Sequence, residues 1–167
     1  MKNLLAIMLG ICWVSAMGIK AHEEVQDEIG SSIENNAAEL KLLQQAASTC
    51  TEMYLIIADW EEDAEYIAHL TPTEAATMRR LVAAMRPCDT NMDVEIDPSV
   101  FIGVCFKGKN VIISLDELDV VKKSEADPDG SYPLGRFVLT DEEYAQWRKL
   151  IDRVRQHKEK IEKGAIR

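Results

Sequence analysis

Met53-Tyr54-Leu55-Ile56-Ile57-Ala58 is a short, uninterrupted apolar run with two isoleucines and a tyrosine. Its length and composition predict a buried strand, the alternative being a helix that continues from Cys50. On its N-terminal side, Asn36-Ala37-Ala38-Glu39 has the form of a helix cap with a glutamate returning three residues on. Leu40, Leu43, Ala47 and Cys50 then recur at spacings of three and four, the stripe of an amphipathic helix. On its C-terminal side, Thr71-Pro72-Thr73-Glu74 places a hydroxyl at the cap, proline at the first helical position and glutamate at the third. Ala75, Met78, Leu81, Val82 and Met85 supply the apolar face of that second helix, and Pro87 stops it.

Further out, Val100–Phe106 and Val111–Leu115 flank Lys107-Gly108-Lys109-Asn110, a β-hairpin pattern whose glycine suits a tight turn at positive φ. Leu118, Val120 and Val121 extend the expected sheet, and Ser124–Arg136, with two prolines and two glycines, reads as one long loop. Phe137-Val138-Leu139 leads into Thr140-Asp141-Glu142-Glu143, a second capping box. Tyr144, Trp147, Leu150, Ile151, Val154 and Ile161 keep helical spacing to the end of the chain. The expected class is α+β: an antiparallel sheet of about four strands with about three amphipathic helices on one face. Thirteen residues from Leu70 align with thirteen from Leu139 at six identities, so a duplicated strand–strand–helix unit competes with convergence of two capped helices.

The N-terminus carries a different signal. Lys2 precedes an uncharged run from Leu4 to Ile19, followed by small residues at Ala16, Gly18 and Ala21. Sixteen residues make a helix of about 24 Å, short of the roughly 30 Å hydrocarbon core. Residues 1–21 therefore read as a secretory signal peptide with cleavage after Ala21, residues 22–35 as a loosely ordered segment, and 36–167 as a single domain ending in a basic helix. The expected location is periplasmic or secreted. Loss of the leader would take the formal charge from −10 to −12.

Export permits oxidation, and Cys50, Cys88 and Cys105 would remain. Cys50 and Cys88, each at the end of an expected helix, are the favoured disulfide pair. Such a bridge closes a loop of about 38 residues and contributes about 3–4 kcal/mol in the chain-entropy model. Cys105, inside a strand with no neighbouring base, is left as a free buried thiol.

Chemistry-bearing patterns are scarce. The three histidines, His22, His69 and His157, are far apart, and no zinc spacing, no Gly-x-Ser-x-Gly and no phosphate-binding glycine loop occurs. No catalytic residue, metal site or cofactor is assigned. The acidic run Asp59-Trp60-Glu61-Glu62-Asp63-Ala64-Glu65 could serve carboxylate-dependent hydrolysis, but reads more simply as a solvated loop. Glu125-Ala126-Asp127-Pro128-Asp129-Gly130 resembles the start of a calcium loop, yet Arg136 stands where the bidentate glutamate belongs.

Charge is split along the chain. Between His22 and Trp147 there are 26 acidic and 9 basic residues; from Arg148 to Arg167 there are 8 basic and 3 acidic. The overall acidity argues against nucleic acid as a partner. Arg148, Arg153, Arg155, Lys158, Lys160 and Lys163 are the candidate partner-binding residues, on a helix expected to project from the core toward an unidentified protein, an anionic envelope component or a second copy. The expected role is non-catalytic binding or assembly in the cell envelope or outside the cell. A small hydrolase and a self-assembling structural subunit are the alternatives.

Overall fold

The computed structural model describes residues 32–90 and 98–161. The signal peptide, residues 22–31 and Lys163 lie outside the described residues. Helix α1 (Ser32–Thr49) leads into strand β1 (Glu52–Asp59), and a tight turn returns the chain as β2 (Ala64–His69). Helix α2 (Pro72–Ala84) and the short β3 (Arg86–Pro87) follow. The hairpin β4 (Val100–Lys107) and β5 (Ile112–Asp116) comes next, then β6 (Val120–Lys122), β7 (Phe137–Leu139), helix α3 (Asp141–Arg155) and β8 (Glu159–Lys160).

Five strands form an antiparallel sheet in the order β5-β4-β1-β2-β8. A second sheet has the order β3-β7-β6, with β6 and β7 parallel. The fold is α+β, with one strand more in the main sheet than the sequence patterns indicate. Parallel pairing of β6 and β7 needs a long crossover, and the Lys123–Arg136 connection supplies it. Gly135 sits at φ +94, where a Cβ would lie 2.5 Å from Val121 Cγ1, so the crossover returns against the small sheet only with glycine there.

Period-two alternation decides which residues enter the core. Met53, Leu55 and Ile57 of β1 share a face with Ala68 of β2, Ile102, Val104 and Phe106 of β4, and Leu115 of β5. All join one buried cluster with Leu40, Leu43 and Ala47 of α1, Met78, Leu81 and Val82 of α2, and Trp147, Leu150, Ile151 and Val154 of α3. The three helices thus cover the same face of the main sheet. A smaller cluster of Cys88, Val121 and Tyr132 packs under the small sheet.

Local signals place the helix starts well, with one exception. Thr71 and Thr140 both form complete capping boxes, with Glu74 and Glu143 returning to the cap backbone. Asn36 is not a cap. The helix already runs from Ser32, so residues 32–35 are helical rather than loose, and Asn36 is buried and donates its side-chain amide to the Cys88 carbonyl at 2.7 Å. A single-sequence cap pattern cannot be told from a polar residue that serves a tertiary contact.

Three other expectations are corrected. Gly108 does not take positive φ; the hairpin closes through a four-residue connection in which its N–H donates to the Val111 carbonyl at 2.8 Å. The duplicated unit is not seen, because the strand before α2 belongs to an antiparallel hairpin in the main sheet, whereas the strand before α3 pairs in parallel in the small one. The basic helix ends at Arg155. The chain turns through Gln156 and His157 and comes back as β8 beside β2, where Ile161 N–H donates to the Glu65 carbonyl at 2.8 Å.

Candidate binding surface

The second face of the main sheet is built from the alternate residues of the same strands. Tyr54, Ile56 and Ala58 lie beside Ile67 and His69 of β2 and beside Phe101, Gly103 and Cys105 of β4. Ile112 and Ser114 of β5 continue the row to the sheet edge. None of these side chains belongs to either buried cluster, and among the described residues no helix packs over them. Tyr54 and Cys105 are buried, Ile56, Ala58, Ile67 and Phe101 are half-buried, and Ile112 is 50% exposed. Trp60 and Val111, two of the other large exposed apolar residues, stand at opposite ends of the same sheet.

Polar groups on this face are concentrated at its margins. At one end the Glu52 carboxylate bridges His69 Nδ1 at 2.9 Å and Lys107 Nζ at 3.1 Å, and the Lys109 turn lies just beyond. The other end carries Glu65, opposite Ala58, and runs into the β1–β2 turn with Glu61, whereas Asp59 alternates with Ile57 onto the helix-covered side. Asp116 closes the β5 edge opposite Gly103. Burial pushes its carboxyl up to about 6, with Asp119 and Glu117 adding to the rise and a hydrogen bond from Leu118 N–H opposing it. Within the face, Tyr54 and Cys105 are cross-strand partners, and the Tyr54 and His69 ring centroids are 5.7 Å apart. The Phe101 ring lies over Gly103, where a Cβ would meet it at 3.1 Å.

Of the basic residues singled out from the sequence, Arg148 and Lys158 already have partners within the fold. Arg148 pairs with the largely buried Glu117 at 3.0 Å, and Lys158 Nζ sits 3.8 Å from the centroid of the Tyr66 ring. Lys160 belongs to the edge strand β8 opposite Tyr66, and Lys158 lies in the turn just before it, so neither is on a helix. Arg153 and Arg155 do end α3, where the helix dipole favours them. A concavity of about 530 Å³ runs between Arg148 and Arg153, but Asp152 sits among the bases. A second one, of about 510 Å³, is lined by Glu117, Leu118, Asp119, Tyr144 and Arg148, and its one cation is already paired with Glu117.

Among the described residues Cys50, Cys88 and Cys105 are three separate buried thiols, and the expected Cys50–Cys88 bridge is not formed. Cys50 packs in the main core and Cys88 in the small cluster, so the two ends of helices that looked adjacent in pattern belong to different packing units. Burial pushes the Cys105 thiol up to about 12 and the Cys88 thiol to about 11, far from the range of a nucleophile.

The acidic run turns out to be structural in the literal sense. Asp59 Oδ1 accepts from Glu62 N–H at 3.1 Å, Asp63 takes the left-handed φ of 46 that closes the turn, and Glu62 accepts from the Tyr66 hydroxyl at 2.7 Å. Neither concavity includes these residues. In the candidate calcium loop, Asp129 accepts from both Ser131 N–H and its hydroxyl, and Glu125 pairs with Lys122. Among the described residues no group of three His, Cys, Asp or Glu side chains is placed to hold a metal ion, and no helix is long and apolar enough to cross a membrane.

No protein-family model, curated protein or solved structure matches this chain. The functional reading therefore rests on the chain's own chemistry.

Proposed function

We propose that this is an exported, non-catalytic binding or assembly protein of the cell envelope or extracellular space, and that it docks through the second face of its main sheet. One observation carries the reading: a sheet face made of Tyr54, Ile56, Ala58, Ile67, Phe101 and Cys105, with its charges at the margins, has no helix over it among the described residues. An apolar centre within a charged margin is the anatomy of a protein contact. Export is supported by the leader-like pattern of residues 1–21. The basic residues of α3 keep a lesser part, as local partners of Glu117 and of the helix terminus.

The test is chemical crosslinking of the protein in its native compartment, with intact mass fixing the N-terminus. Higher-mass species are expected from the wild type and from Arg153→Glu, and none from Ile67→Asp. Persistence of those species in Ile67→Asp would move the contact elsewhere; an unprocessed chain recovered from the cytoplasm would remove the export half.

A further inference from the structure

We infer that the occupant of this face is a second copy of the chain, seated sheet against sheet with its strands running opposite to those of the first. The inference rests on the docking face proposed above and adds the identity and orientation of its partner.

The charge distribution is self-complementary in one arrangement. One end of the face carries Lys107 and Lys109, with Glu52 shared between Lys107 and His69. The other end carries Glu65, cross-strand from Ala58, with the exposed Glu61 in the adjoining β1–β2 turn. A two-fold axis lying between the sheets and across the strands brings each lysine end over the partner's acidic turn. An axis along the strands would instead set acidic turn on acidic turn, which is repulsive. Both axes pass close to β1, the central strand of the five, so the same apolar side chains meet in either case and charge alone selects the orientation.

The face has the shape for close sheet packing. Gly103 and Ala58 add little bulk, and the Phe101 ring fills the space over Gly103. Two sheets then stack about 10 Å apart with Ile56 and Tyr54 of each copy near the axis. The exposed Trp60, at one end, would lie near the partner's Lys109 turn at the other. A continuous apolar strand such as Met53–Ala58 is the pattern of a strand covered on both sides, and the helices account for one side only.

Sedimentation equilibrium and short-linker crosslinking of the full chain test this. The wild type is expected at twice the monomer mass given by its own intact mass spectrum. Ile56→Asp should weaken self-association about 100-fold, because docking would bury an unpaired carboxylate, with its circular dichroism unchanged. Lys107→Glu should weaken it several-fold and Arg153→Glu not at all. A short bis-maleimide linker should join Lys109→Cys of one copy to Trp60→Cys of another and should not join two copies of Trp60→Cys, in a Cys12→Ser background; among the described residues the native thiols Cys50, Cys88 and Cys105 are buried and give little background. A monomer at all concentrations overturns the second copy, whether the face is then covered by another protein or by the chain's own N-terminal residues. Crosslinks in the native compartment that are sensitive to Ile67→Asp would still uphold the docking face in that event. A dimer that links Trp60 to Trp60 overturns the orientation.

Discussion

Leu55 and Ile56 are neighbours in one strand and similar in size, yet they live in different surroundings. Leu55 is fully buried beneath the helices, packed with Val104 and Leu115 across the sheet. Ile56 points to the opposite face and is only half-buried, beside Ile67 and Gly103. The strand sequence treats both faces alike, because Met53, Leu55 and Ile57 alternate with Tyr54, Ile56 and Ala58 without a polar residue among them. An antiparallel sheet with one solvated face reads as apolar-polar alternation. Here one face supports the fold, and the other has no helix over it among the described residues.

The largest expected effect separates the two faces directly. Leu55→Ala should destabilise the protein by about 2–5 kcal/mol, since it leaves a cavity under the helices. Ile56→Ala should cost less than about 1.5 kcal/mol in dilute solution. Urea unfolding at two protein concentrations measures both. If a second copy sits on the face, the Ile56→Ala deficit grows with concentration, because association stabilises only the folded chain that can dimerise. Equal, concentration-independent losses at the two positions would break the distinction between the faces.

That distinction was only partly legible in the sequence. The apolar run in β1, the hairpin of β4 and β5 and both threonine caps rest on local chemistry, and each appears where its pattern places it. Strand β2 escaped notice because Ala64–His69 begins at the end of an acidic run and carries only Tyr66 and Ile67 as strand formers. Strand β8 has no local signal at all: Glu159 and Lys160 pair with β2 because the chain reverses there, without a glycine or proline to announce it. The basic tail looked like a single helix because its spacing stays helical through Ile161, while pairing with the β2 edge overrides propensity beyond His157. The second face has no signature in the sequence for a simpler reason: its residues have the pattern of a strand interior, and a strand says nothing about how many helices will arrive to cover it.

The caps sharpen the comparison at a lower magnitude. Thr71 starts a helix that covers the first face, and its partner Glu74 is buried, whereas Glu143 at the Thr140 cap is half-buried. Burial alone would raise the Glu74 carboxyl, but hydrogen bonds from the Thr71 hydroxyl and N–H, with His157 and Arg153 nearby, hold it below the usual range. Thr140→Ala should cost about 1 kcal/mol, and Thr71→Ala somewhat more, toward about 2 kcal/mol, because a buried carboxylate loses a donor. Thermal or urea unfolding gives the numbers. Self-association per folded molecule should not change in either variant, since neither side chain lies on the second face. A cap variant that unfolds normally but fails to associate would show that the two faces are coupled.

Asp116 gives the one effect with a pH signature. It stands on the second face at the β5 edge, and its carboxyl titrates near 6 in the folded protein against an ordinary value of 3.8. The native state therefore holds this proton more tightly than the unfolded chain does. Between pH 4 and 6 its contribution lowers stability as pH rises, and the loss is complete above the folded value. Asp116→Asn keeps an oxygen to accept from Leu118 N–H but cannot ionise. The variant should match the wild type near pH 3.5 and exceed it at pH 7. Stability curves of the two proteins across that range check the sign. An advantage for the variant that is largest at low pH would mean that the Asp116 carboxylate is stabilised in the folded state, and that this edge of the second face is better supplied with positive charge than Arg136, its one cationic neighbour in the titration, can account for.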